Sequence, residues 1–111
     1  MYIPKNYEKY CSRRVITMEF VKGIKIDDLE NLKKHFDTRQ IGSLLVKIFA
    51  KMIFLDGHVH CDAHPGNIFV RKVNNRPQIV LLDHGFYCTL EKNFHENFNK
   101  LWFSMCTFDN K

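Results

Sequence analysis

The chain has 111 residues and a formal charge of +5, from 17 Lys and Arg against 12 Asp and Glu. A composition that is 45% hydrophobic and 26% charged excludes a disordered chain. No apolar run approaches the ~20 residues of a membrane-spanning helix, and the length allows one domain at most. The longest apolar stretch, Leu44 to Leu55, is interrupted by Lys47 and Lys51. Ten Phe is a high number for this length. A chain this short buries only about two-thirds of its unfolded surface, so apolar surface is expected to remain for something else to cover.

Met1-Tyr2-Ile3-Pro4-Lys5 reads neither as a secretory signal nor as the start of an Arg-rich transit peptide. Cys11, Cys61, Cys88 and Cys106 are far apart and form no CxxC pair, so no zinc ribbon or disulfide scaffold is expected. Reduced thiols of a cytosolic or matrix compartment fit better. Lys and Arg are spread along the chain without an arm or block, which speaks against nucleic acid as a partner.

Residues 13–21 are rich in β-branched side chains and predict a strand, ended by Lys22-Gly23. A short helix should follow, with Asp27 as N-cap, Glu30 three residues on, and Leu29, Leu32 and Phe36 turned inward. Asp37 caps the next helix, where Ile41, Leu44, Leu45, Ile48, Phe49, Met52 and Ile53 recur at helical spacing. Val46, Ala50 and Phe54 widen that stripe, which predicts a largely buried helix stopped at Gly57. Two β-type runs, Asn67 to Val73 and Gln78 to Leu82, flank a turn at Asn74-Asn75-Arg76-Pro77. A last helix, with Thr89 as cap, should bury Phe94, Phe98, Leu101, Trp102 and Met105.

The chemistry sits in His60-Cys61-Asp62-Ala63-His64-Pro65-Gly66-Asn67 and in Leu81-Leu82-Asp83-His84-Gly85. A hairpin between the two β-type runs would bring Asn67 and Asp83 together at one end. A carboxylate and an amide oxygen there suit Mg²⁺, which prefers hard oxygen ligands and keeps phosphates or waters at its other positions. Asp62, a second carboxylate nearby in sequence, can accept a proton or orient a nucleophile. That layout serves phosphoryl transfer. The bland alternatives are loop capping by Asp62 and Asn67, and a zinc cluster of His58, His60, Cys61 and His64. If 58–61 is extended, His58 and His60 share one face and Cys61 takes the other. His60 is expected to brace its loop and His84 to fill space. His35 and His95 should be solvated, and Cys61 should be a satisfied thiol rather than a redox sensor.

HxDxxxxN, a hydrophobic strand and then DxG together resemble the catalytic and metal-binding loops of the protein-kinase-like fold. Met18-Glu19-Phe20-Val21 resembles the hinge between the two lobes of that fold. The resemblance implies that the backbone of Glu19 and Val21 meets an adenine edge, with Met18 as gatekeeper. More closely, HxDxHPGN with Leu-Leu-Asp-His-Gly resembles the AarF/UbiB family of atypical kinases, especially its eukaryotic aarF-domain-containing branch. The family's loop usually reads HADPHPGN. Here Cys61 replaces Ala and Ala63 replaces Pro, while Asp62, His64, Pro65, Gly66 and Asn67 stand.

The resemblance covers residues 1–108. It implies an α+β, protein-kinase-like fold: the last small-lobe strands and hinge at 1–23, and a large-lobe portion at 24–111. It implies Asp62 as the catalytic-loop aspartate and Asn67 and Asp83 as Mg²⁺ ligands. His64 takes the place where many protein kinases put a phosphate-contacting Lys. It also implies ATP as cofactor, a mitochondrial setting, and a link to quinone or lipid homeostasis near an anionic membrane. The family's KxGQ segment, Ala-rich nucleotide loop and Lys–Glu clamp do not occur in the 111 residues, so the chain is expected to be a portion of a longer parent. Two other functions compete. A small-molecule phosphotransferase of the aminoglycoside or choline kinase type shares HxDxxxxN and DxG, but Asp83-His84-Gly85 and Thr17-Met18-Glu19-Phe20-Val21 speak against it. A catalytically dead remnant or scaffold would fail to bind Mg-ATP.

Overall fold

The computed structural model describes residues 1–107; positions 108–111 of the large-lobe portion lie outside the described residues. In chain order the elements are β1 (Ile24–Lys25), α1 (Leu29–His35), α2 (Thr38–Ala50), β2 (His58–His60), β3 (Ile68–Val73), β4 (Arg76–Leu81), β5 (Tyr87–Thr89) and α3 (Lys92–Thr107). The fold is mixed α and β, with two small antiparallel sheets. The chain forms two compact units rather than the single one its length suggests. The first holds Met1–Leu45 and Ala63–His84, and the second holds Val46–Asp62 and the chain from Gly85 onward.

The first unit is organised by the β3–β4 hairpin, joined by β1 in the order β1-β3-β4. Ile68 pairs with Leu81 and Val70 with Ile79, so these four side chains share one face. All four are buried, and Val80 on the other face is also sealed from solvent. The outer edge of β4 is not left open. Tyr2 donates its N–H to the Ile79 carbonyl at 2.8 Å and accepts from Leu81 N–H at 3.1 Å. This pairing satisfies edge groups that would otherwise invite another strand. The hairpin turn is Asn74-Asn75, at φ 47° and 62°. Two consecutive positive φ values define the tight turn whose twist matches a hairpin, and Asn tolerates that region. Arg76 and Pro77, expected in the turn, belong to β4 instead.

Leu32 on α1 and Ile41 on α2 complete this core. The cap of α1 is Asp28, not Asp27: its carboxylate accepts from Asn31 N–H at 3.2 Å and from the Asn31 amide at 2.7 Å. These bonds, the side-chain one foremost, hold the Asp28 carboxyl below its ordinary range. The inward set is smaller than expected. Of Leu29, Leu32 and Phe36, only Leu32 is buried; Phe36 is half-buried and Leu29 is 55% exposed. Asp37 caps α2 as its sequence suggests, accepting from Arg39 N–H at 2.9 Å.

The expected strand at 13–21 does not form a regular ladder. Tyr7 N–H reaches the Thr17 carbonyl and Glu19 N–H the Lys5 carbonyl, both at 2.8 Å, but the pairing is irregular. Val15 and Ile16 stay exposed. β-branched residues favour a strand only where a sheet face receives them, and here their partner is one irregular segment.

In the second unit, the α-helix passes into a π-helical turn, Lys51–Asp56, and stops at Gly57. Lys51 and Asp56 form an exposed ion pair across this turn, which contributes little to stability. The helix is less buried than its stripe predicts. Among the described residues only Ile41 and Met52 along it are buried, while Val46 is 70% and Leu55 74% exposed. Gly57 adopts φ 61°, and a Cβ there would lie 3.2 Å from His95 Nδ1. Gly57→Ala is therefore expected to destabilise the protein by about 1–2 kcal/mol, from the left-handed backbone alone, in a denaturant titration.

β2 and β5 pair antiparallel, with His58 opposite Thr89 and His60 opposite Tyr87. Thr89 is therefore a strand residue, and its hydroxyl lies 2.9 Å from His58 Nδ1. Glu91 caps α3 instead, its carboxylate accepting from Asn93 N–H at 3.1 Å and Phe94 N–H at 3.0 Å. The aromatic stripe of α3 was expected to be core and is not. Phe98 stacks on Phe54 and Phe94, and Trp102 meets Phe54 edge-on, yet no described residue of α3 is buried. The helix is anchored along one line: the Asn99 amide donates to the Phe54 carbonyl at 3.0 Å, beside the half-buried His95. No helix among the described residues is long and apolar enough to cross a membrane.

Candidate functional site

At the open end of the β3–β4 hairpin, Leu82 N–H still bonds to the Asn67 carbonyl at 2.9 Å, one step past Ile68–Leu81. That extra bond brings Asn67 and Asp83 together. The Asn67 amide donates to Asp83 Oδ2 at 3.4 Å, and Asp83 is solvent-exposed. A 3₁₀ turn, Pro65–Asn67, leads into β3. His64 caps it through Nδ1, which accepts from Gly66 N–H at 3.0 Å, while the His64 carbonyl accepts from Asn67 N–H at 2.9 Å. This arrangement puts the His64 proton on Nε2, leaving that edge as a donor. His84 is half-buried and its Nε2 donates to the Leu81 carbonyl at 3.1 Å.

The same unit contains Met18, Glu19 and Val21. Glu19 N–H is committed to the Lys5 carbonyl. Any adenine edge would therefore meet the carbonyl of Glu19 and not its N–H. The Glu19 carboxylate accepts a short hydrogen bond from the Tyr2 hydroxyl, and the Arg71 guanidinium lies over the Tyr2 ring at 3.8 Å. Sequence reasoning missed this cluster, because Tyr2, Glu19 and Arg71 are joined only by the sheet. The Tyr2 hydrogen bond is the main cause that lowers the Glu19 pKa from its ordinary 4.5, and the same contact raises that of Tyr2. A lowered carboxyl pKa adds stability above the ordinary value and loses it as pH falls through the folded value. Tyr2→Phe is expected to flatten the acid limb of stability below about pH 4.5, read as the denaturation midpoint against pH.

Asp62 belongs to the second unit and is exposed. Its N–H donates to Nδ1 of the buried His60 at 3.1 Å, so His60 braces the loop as expected. His60 in turn contacts the Tyr87 ring, whose pKa burial raises. Cys61 Sγ bonds to the Val59 carbonyl at 3.4 Å, as a satisfied thiol. The considered zinc set does not assemble: among the described residues no three His, Cys, Asp or Glu side chains are grouped to hold a metal. His58, His60 and His64 each use Nδ1 on a neighbour.

A carboxamide and a carboxylate thus meet at a strand end that follows an HxDxxxxN loop. The family model of the ABC1 atypical kinase-like domain matches residues 1–111. The chain belongs to this family. Curated relatives point the same way. The probable serine/threonine-protein kinase abkB of Dictyostelium discoideum is 44% identical over 98% of this chain and 17% of its own length. The AarF domain-containing kinase 1 of Drosophila melanogaster is 40% identical over 98% of the chain and 21% of its own length. Its mouse namesake is 39% identical over 96% and 21%. The ABC1 chain thus spans about a fifth of the length of the curated relatives it matches. No solved structure matches it.

Proposed function

We propose that this chain forms part of an ATP- and Mg²⁺-binding atypical kinase or ATPase of the AarF type, acting in mitochondrial quinone or lipid homeostasis. The observation that carries the reading is the meeting of Asn67 and Asp83 at the end of the β3–β4 hairpin, 3.4 Å apart. The donor set fits the metal. Mg²⁺ is commonly held by one or two carboxylates or amide oxygens, with phosphates and water completing the octahedron. A half-turn of the Asn67 amide presents its oxygen instead of its nitrogen. When bound, the ion neutralises charge on the nucleotide phosphates.

The remaining roles belong to the chain's own groups. Asp62 orients the attacking hydroxyl or water and accepts its proton. His64, with its proton on Nε2, donates to a phosphate oxygen. The Glu19 carbonyl and Val21 N–H meet the adenine edge beside Met18. In this reading 1–23 is the end of the small lobe and the hinge, and 24–111 is large-lobe. The rest of the phosphate clamp comes from the longer polypeptide that the relatives possess. The test is calorimetric titration of Mg-ATP into a chimera in which residues 1–111 replace the matching segment of the fly relative. Saturable, Mg²⁺-dependent binding that needs Asp83 is the expected result. Binding indifferent to Mg²⁺ would overturn the assignment.

A further inference from the structure

The first unit carries a second feature of chemical interest, remote from Asn67 and Asp83. A groove of about 440 Å³ opens where the chain enters β1, lined by Lys22, His35, Arg71 and Lys72 above the apolar Ile24 and Phe36. That volume is in the range of small-molecule sites. Lys72 lies five residues along β3 from Asn67, about 16 Å in an extended strand. The groove is therefore not the nucleotide-metal end of the hairpin.

The chain enters β1 against β3, where Ile24 pairs with Val70. Just before that pair the backbone at Gly23 presses on β3: a Cβ there would lie 3.1 Å from the Val70 carbonyl oxygen and 3.2 Å from Phe69 Cβ. Lys22 and Lys72 line the same groove beyond it, and like charges sharing a groove repel. Among the described residues no carboxylate comes within ion-pair distance of Lys22 or Lys72. Arg71 is held in place, its Nε donating to Gln78 Oε1 at 2.8 Å and its guanidinium resting on Tyr2. Arg71 also shares the field of Glu19, which leaves the uncompensated charge on the two lysines.

We propose that this groove binds a phosphate-bearing anion, with the phosphoryl group between Lys22 and Lys72 and an apolar portion against Ile24 and Phe36. A doubly charged phosphoryl oxygen set relieves the repulsion between the two lysines and accepts from both ammonium groups. An acyl or aromatic body matches the floor. The phosphoryl group can come from a soluble phosphorylated molecule or from a lipid headgroup, and the two sources separate experimentally.

The test uses the whole chain in a buffer with excess chelator, which removes divalent ions and silences the Asn67–Asp83 end. Inorganic phosphate is titrated and followed by amide NMR shifts. Equimolar phosphatidylglycerol–phosphatidylcholine vesicles, against phosphatidylcholine alone, are followed by co-sedimentation. Shifts at Gly23 and Lys72 on phosphate addition point to a soluble ligand; sedimentation with anionic vesicles alone points to a headgroup. In either case the Lys22→Gln/Lys72→Gln double variant is expected to weaken binding about tenfold. A Lys25→Gln/Lys33→Gln control, equal in charge removed but outside the groove, should change it by less than about twofold. All four lysines are exposed, so circular dichroism should show unchanged folds. The proposal is overturned if neither probe binds, if the groove variant binds as well as the parent, or if the control loses as much as the groove variant. The proposed nucleotide role does not depend on the result, since Asp83→Asn should leave phosphate binding in chelator unaltered.

Discussion

Asp83→Asn, made in the fly chimera, is expected to lower Mg²⁺-dependent ATP affinity by at least about tenfold, the scale on which even indirect supports of metal ligands act. The change keeps the shape of the side chain and one carbonyl oxygen, but removes the negative charge that the proposed ion would meet. It also leaves the hairpin intact, because Asp83 lies beyond Leu81, the last residue of β4. The contact with the Asn67 amide at 3.4 Å can be kept by the new amide's oxygen. The variant should therefore melt near the parent temperature without nucleotide, while the Mg-ATP-induced rise in melting temperature disappears. Loss of metal binding with retained folding is the signature of a ligand. Unchanged Mg²⁺ dependence would remove Asp83 from the metal site. Asn67→Ala should act in the same direction but less strongly, since it removes a neutral donor and not a charge.

Leu32→Ala should have the largest effect on folding. Leu32 is 1% exposed and is the one buried side chain of α1. Truncation of a buried leucine costs about 2–5 kcal/mol, from lost transfer energy and the cavity left behind. That is a large share of the 5–15 kcal/mol typical of a whole domain. α1 has seven residues and cannot persist by its own propensity. The Asp28 cap and the Phe36 N–H bond to the Leu32 carbonyl are local to the helix, so its burial rests on Leu32. The expected result is a denaturation midpoint lowered by that amount. Faster hydrogen exchange should extend through α1 and, more weakly, β3 and β4. By contrast Leu29→Ala, on the same helix but 55% exposed, should lie within about 0.5 kcal/mol of the parent.

The contrast between Leu32 and Leu29 marks the limit of what periodicity can say. Helical spacing makes both apolar, and only the position of the sheet decides which one is covered. The same holds for α3. Phe94, Phe98 and Trp102 recur at helical intervals and do stack on Phe54 and on each other. Recurrence marks a face, but it does not supply the surface that hides it. The caps of α1 and α3 sit one or two residues beyond the expected ones for a related reason. Asp27 and Asp28, or Thr89 and Glu91, are both good caps chemically, and the pairing of Thr89 in β5 removed it from the choice.

Local chemistry was legible wherever the deciding forces act between near neighbours. The Asn74-Asn75 hairpin turn, the stop at Gly57, the Asp37 cap and the HxDxHPGN and Asp-His-Gly loops are all of this kind. The family followed from those loops, and the meeting of Asn67 and Asp83 at one hairpin end followed from the two β-type runs. The register did not, because the sequence suggests a four-residue turn at 74–77 and the turn is Asn74-Asn75, with Val73 opposite Arg76. What only the tertiary structure decided involves contacts far apart in sequence. Tyr2 closes the edge of β4 and binds Glu19, 17 residues on. Lys22 and Lys72 come to line one groove because β1 joins β3. No local pattern encodes such meetings. They arise because backbone edges must be paired and buried faces filled, and those demands are met by whichever distant segment the fold delivers.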